Sequence, residues 1–198
     1  MSAHPLDPLS AAEIATAAAT VRAQSGLDDT AWFETITLDE PTREERAGAP
    51  ERRAYVCCYE RSSNRTMRGL VRLADGALVA WEHVPGVQAR IVPDEFSKGD
   101  QICKADPRVI EALAKRGVTD LSTVLIETWA AGNFGIPEED GRRIAYCHCW
   151  VSNASGDNRY GRPIANLHPV VDLAAWQVIR VDDFGAVPLP PDTDAIRP

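Results

Sequence analysis

The chain opens on a helix signature. Ser10-Ala11-Ala12-Glu13 has the form of a capping box, in which the serine hydroxyl accepts from the third helical N–H and Glu13 reaches back to the cap. Ile14, Ala18 and Val21 recur at i, i+4 and i+7 as one apolar stripe, and Gly26 is placed to end the helix. From there the apolar period drops to two. Residues 32–38, 53–60, 66–73 and 77–84 read as strands, with a polar loop over 39–52 after the first. Ala74-Asp75-Gly76 joins the last two strands, and Asp-Gly suits a hairpin because both residues tolerate positive φ. One helix face on one sheet face suffices for a small core.

Residues 93–100, Pro-Asp-Glu-Phe-Ser-Lys-Gly-Asp, break the alternation and read as a linker, with Ile102 and Cys103 in a short helical turn. The plan then repeats. Asp106 caps a second helix, Pro107 takes its first position and Gly117 follows its end. Ile110 and Leu113 are its expected buried face. Strands are expected again at 124–130, 142–151, 169–173 and 175–181, with a loop rich in Gly, Asn and Ser at 152–162. Val187-Pro188-Leu189-Pro190-Pro191 cannot continue a sheet, because proline lacks the N–H. The fold class is α+β: two consecutive small domains, each a helix packed on an antiparallel sheet of about four strands in a cystatin-like arrangement. The expected boundaries are 1–95 and 96–186, with 187–198 a proline-rich connector.

Composition narrows the function classes. A net charge of −8 over 198 residues, with no Lys/Arg run longer than two, argues against nucleic acid as a partner. No stretch approaches the ~20 apolar residues a membrane span needs. Ordinary hydrophobic and charged fractions, 44% and 25%, predict a folded chain apart from its ends and the charged loop near 41–52. The N-terminus lacks a basic and then apolar leader, and the five cysteines are odd in number without a regular framework. Both features predict reduced thiols and a cytoplasmic location.

The chemistry-bearing clusters are few. Cys147-His148-Cys149 sets two thiols on one face of a strand and the imidazole on the other, which suits packing better than a zinc site drawn from spaced pairs. Cys57 and Cys58 face opposite sides of a strand, and a bond between them would strain it. Nothing beside any of these thiols lowers its pKa in an evident way, which weighs against a nucleophile paired with His148 or His83. Trp32, Trp81, Trp129, Trp150 and Trp176 all fall in expected strands and read as core, with Trp81 and Trp150 beneath or beside the helices. Asn64-Arg65-Thr66 and Asn153-Ala154-Ser155 match the glycosylation pattern and read as accidental in a cytoplasmic chain.

Longer runs carry a family resemblance. His4-Pro5-Leu6-Asp7-Pro8-Leu9-Ser10 resembles the opening of the first small α+β domain of many copper amine oxidases. Asp157-Asn158-Arg159-Tyr160-Gly161-Arg162-Pro163-Ile164 resembles part of that family's next domain, as do Pro169-Val170-Val171-Asp172-Leu173 and Val178-Ile179-Arg180-Val181-Asp182-Asp183. Asp106-Pro107, Lys115-Arg116-Gly117 and Pro188-Leu189-Pro190 also sit where that pattern has them. Gly161 stands where alanine is commoner, and Phe184 where histidine is often found.

The resemblance implies a parent that deaminates primary amines oxidatively to aldehyde, ammonia and hydrogen peroxide, using copper and a topaquinone made from its own tyrosine. In that family the chemistry belongs to a large C-terminal domain, expected to follow the proline-rich tail. The family's copper site needs a His-x-His pair, and His4, His83, His148 and His168 contain none. Its quinone precursor lies in Asn-Tyr-Asp or Asn-Tyr-Glu, and Tyr55, Tyr59, Tyr146 and Tyr160 all lack that context. No catalytic, cofactor-binding or metal residue is therefore expected here. The expected partner is the catalytic domain of the same polypeptide, within a homodimeric parent. The alternative is a free-standing cystatin-like binding module, although Gln88-Ala89-Arg90 does not match the cystatin inhibitor signature Gln-x-Val-x-Gly.

Overall fold

A computed structural model describes residues 4–48, 50–153 and 158–191. Asp157 of the resemblance run and part of the Asn153-Ala154-Ser155 pattern lie outside them. The chain forms two compact α+β units that divide between Arg90 and Ile91.

In the first unit, helix α1 (Ala11–Gln24) starts at the expected capping box. Glu13 N–H donates to the Ser10 hydroxyl, and the Ser10 N–H donates to the Glu13 carboxylate at 2.7 Å. Four antiparallel strands follow in the order β1 (Trp32–Asp39), β2 (Arg53–Glu60), β3 (Arg65–Arg72), β4 (Ala77–His83). The period of two sorts β2 cleanly. Ala54, Val56 and Cys58 pack with Ala17 and Val21 of α1, while Tyr55, Cys57 and Tyr59 face the other side.

Several local expectations need correction here. Ile14 is exposed and the buried stripe is Ala17, Thr20 and Val21, because an alanine-rich helix gives a weak periodic signal. Thr20 belongs to that stripe because its hydroxyl donates to the Gly76 carbonyl at 3.2 Å. The loop after β1 contains a capped turn of helix, α2 (Arg43–Arg46), with Thr42 and Glu45 forming a second capping box. The β3–β4 connection spans four residues, and of the Asp-Gly pair Gly76 alone takes positive φ, at 64°.

In the second unit, the segment read as a linker is helix α3 (Pro93–Ala105). Pro93 occupies the first turn, Asp94 and Glu95 add negative charge there, and the Val92 N–H donates to the Glu95 carboxylate at 2.9 Å. The helix eluded the apolar pattern because its buried positions are Glu95, Gly99 and Cys103, of which two are not hydrophobic. Helix α4 (Pro107–Ala114) follows with Asp106 as its cap, and buries Val109, Ala112 and Leu113; Ile110 is exposed.

The sheet of this unit runs β5 (Val124–Ala130), β6 (Ile144–Val151), β8 (Leu167–Asp172), β9 (Gln177–Asp183), with the short β7 (Arg162–Pro163) also paired to β6. Its helix-facing side brings Ile126, Ala145, Cys147, Cys149, Val151 and Val171 against Cys103, Val109 and Leu113. Trp176, expected in a strand, sits in the β8–β9 turn at φ 55° and packs on that core. The described part of the tail is tied down: Leu189 packs on the same core, and the Arg162 Nε donates to the Pro190 carbonyl at 2.8 Å.

Candidate functional site

Alternation along β6 splits the Cys147-His148-Cys149 cluster. Both cysteines are buried on the helix side, and His148 lies on the opposite face, which carries no α-helix and is met in part by the 3-10 turn Pro137–Glu139 through Glu139. Burial holds the thiols in the protonated form. The Cys149 pKa is pushed up to about 12, and that of Cys147 rises through its contact with Cys103, whose sulfur lies 4.0 Å away. In the first unit burial raises Cys58 to about 12 and Cys57 to about 11. These are packing thiols, and all five cysteines are unbridged.

The helix-free face collects the residues with other chemistry. Cross-strand register sets Trp129 of β5 opposite Tyr146 of β6, and Glu127 opposite His148. It also sets His168 of β8 opposite Asp182 of β9. His148 and His168 meet edge to face with ring centroids 5.2 Å apart, so one row across four strands reads Glu127, His148, His168, Asp182. The two carboxylates have local partners. Glu127 accepts from Trp129 Nε1 at 3.0 Å and from the Tyr160 hydroxyl at 2.9 Å, and Asp182 accepts from Arg180 Nε at 2.7 Å.

Aromatic rings flank that row. Trp129 stands against His148, Trp150 against Tyr160 and Phe134 against Tyr146. Trp150 was expected beside a helix and lies here instead, because it shares the parity of His148 along β6. Trp81 does pack with α1. Phe134, Trp129 and Tyr160 are 71%, 55% and 53% exposed, far more than aromatic rings in a closed core. An open groove of about 360 Å³, lined by Glu138, Arg142, Gln177, Ile179 and Arg180, is also part of this unit. Both of its arginines are paired, Arg142 with Asp172 at 3.0 Å and Arg180 with Glu139 at 2.8 Å.

The fold and this face define the class: two small α+β modules, one of which presents an aromatic sheet face. Among the described residues no group of three or more His, Cys, Asp or Glu side chains could hold a metal ion, and no helix is long and apolar enough to cross a membrane. Residues 94–195 match the family model described as the N3 domain of copper amine oxidase. The chain belongs to the copper amine oxidase family.

Curated relatives extend the match to the first unit. The chain is 36% identical to a primary amine oxidase of Arthrobacter sp. (strain P1), over 94% of its own length and 29% of the relative's. It is 30% identical to the peroxisomal N-methylputrescine oxidase 1 of Nicotiana tabacum, over 98% of its length and 30% of that protein. The copper-containing benzylamine oxidase of Hansenula polymorpha shares the fold, with a TM-score of 0.73 at 20% identity, over 92% of this chain and 30% of that one. The chain thus spans under a third of the length of these relatives and corresponds to the N-terminal part of larger primary-amine oxidases.

Proposed function

We propose that this chain serves a structural and interaction role around the catalytic domain of a copper- and topaquinone-dependent primary-amine oxidase, on the same polypeptide, in a homodimeric parent. The observation that carries the reading is the helix-free sheet face of the second unit. Its exposed Trp129, Phe134 and Tyr160 belong to the residue types enriched in protein–protein contacts. The relatives supply the context, since a much longer chain in each is named for amine oxidation. Each module is read as cystatin-like from its helix-on-sheet arrangement, and the five buried, unbridged thiols support a reducing, cytoplasmic location.

An antibody raised against the chain tests the reading in the source cells. The expected result is a native species several-fold larger than 21.6 kDa that stains for quinone, while the isolated chain with added copper releases no peroxide from primary amines. A native species near 21.6 kDa would overturn it and favour the free-standing binding module, which the same aromatic face would serve.

A further inference from the structure

The row across the second unit's sheet contains two imidazoles with no role in the proposed function. His148 and His168 occupy facing positions on adjacent strands, and their rings are in contact. With metal–nitrogen bonds of about 2.0–2.1 Å, two imidazole centroids on one tetrahedral zinc stand roughly 5 Å apart. Those of His148 and His168 stand 5.2 Å apart. The geometry points to a two-histidine site for a divalent transition-metal ion of the zinc class, on the helix-free face of the second unit.

The tautomer of His168 is set by its neighbour. Its Nδ1 lies 3.3 Å from the Cys147 carbonyl oxygen, and a carbonyl only accepts, so Nδ1 is the donor and Nε2 is the nitrogen left to ligate. A metal-binding histidine held through its other nitrogen by a backbone carbonyl is oriented in the same way. Glu127, whose partners Trp129 and Tyr160 are uncharged, contributes negative potential at one end of the row, whereas Asp182 at the other end is paired with Arg180. Two protein ligands leave the other coordination positions to water, consistent with the lack of any three-ligand group among the described residues.

The test is a calorimetric titration of the 198-residue chain with zinc chloride alone at pH 7.5, alongside His148→Gln, His168→Gln and, as a control, His83→Gln. The expected result is one saturable zinc per chain, lost in the first two variants and kept in the third. Circular dichroism shows whether each variant is folded. Proton NMR on the unmodified chain reads the same site without mutation: the His148 and His168 ring signals shift or broaden with zinc, and those of His4 and His83 do not. Absence of saturable binding, binding that survives both substitutions, or ring signals indifferent to zinc would each overturn the assignment.

Discussion

Glu95 of α3 and Arg143, the residue before β6, form a bidentate ion pair that is closed to solvent. The Arg143 Nε and Nη2 donate to the two carboxylate oxygens at 2.5 and 2.7 Å, and both side chains are 1% exposed. The same carboxylate caps the Val92 N–H at 2.9 Å, and the Arg143 carbonyl accepts from the Leu173 N–H at 2.7 Å. One pair therefore ties the start of a helix to two strands of the sheet.

Breaking that pair strips a buried guanidinium of its bidentate carboxylate. Glu95→Gln is expected to lower the stability of the second unit by about 3–5 kcal/mol. The double variant Glu95→Leu/Arg143→Met removes both charges and is expected to recover most of that loss. Urea unfolding of the single and double variants measures both values, and a double variant no better than the single one would contradict the argument.

Gly99 is where α3 comes closest to β5. A Cβ on Gly99 would lie 2.2 Å from the Thr128 Cγ2, so Gly99→Ala is expected to push the helix off the sheet and cost about 1–3 kcal/mol. Thr128→Ser removes that methyl group and is expected to rescue Gly99→Ala, a coupling that a double-mutant cycle reads directly. Thr128→Val alone should stabilise, because its buried hydroxyl has no hydrogen-bond partner among the described residues.

Acid should loosen the first unit through Glu13. Hydrogen bonds from Arg52 and then from the Ser10 backbone hold its pKa near 2, below the ordinary 4.5. A carboxylate with a depressed folded pKa contributes stability above its unfolded value, and that contribution is lost as pH falls from about 4.5 towards 2. The pair is partly exposed, so solvent screening limits the contribution to about 1 kcal/mol. Glu13→Gln should flatten this part of a stability–pH profile measured by thermal unfolding. Arg52 also donates to the carbonyls of His4, Pro5 and Pro8, so Arg52→Ala should release the N-terminal segment to proteolysis as well.

The thiols should be silent in the native state. Burial raises the pKa of Cys57, Cys58 and Cys149, and contact with Cys103 raises that of Cys147, so alkylation at neutral pH is expected to await unfolding at every cysteine. Rapid labelling of one site in folded protein would contradict this and revive the reading of a thiol enzyme.

The amino-acid sequence determined whatever depends on near neighbours in the chain. The Ser10–Glu13 box, the Asp106–Pro107 start of α4, the parity of β2 and the split of Cys147 and Cys149 from His148 are all set by spacings of one to four residues. The resemblance runs were legible for a different reason, because whole strings rather than periods carried them. Tertiary structure alone decided α3, whose buried stripe is Glu95, Gly99 and Cys103. Each of those residues makes sense only with a partner far along the chain: Arg143, Thr128 and Cys147. It also brought His148 to His168 across two strands. Strand order and register fix such meetings, and a one-residue slip would send every one of these side chains to the opposite side.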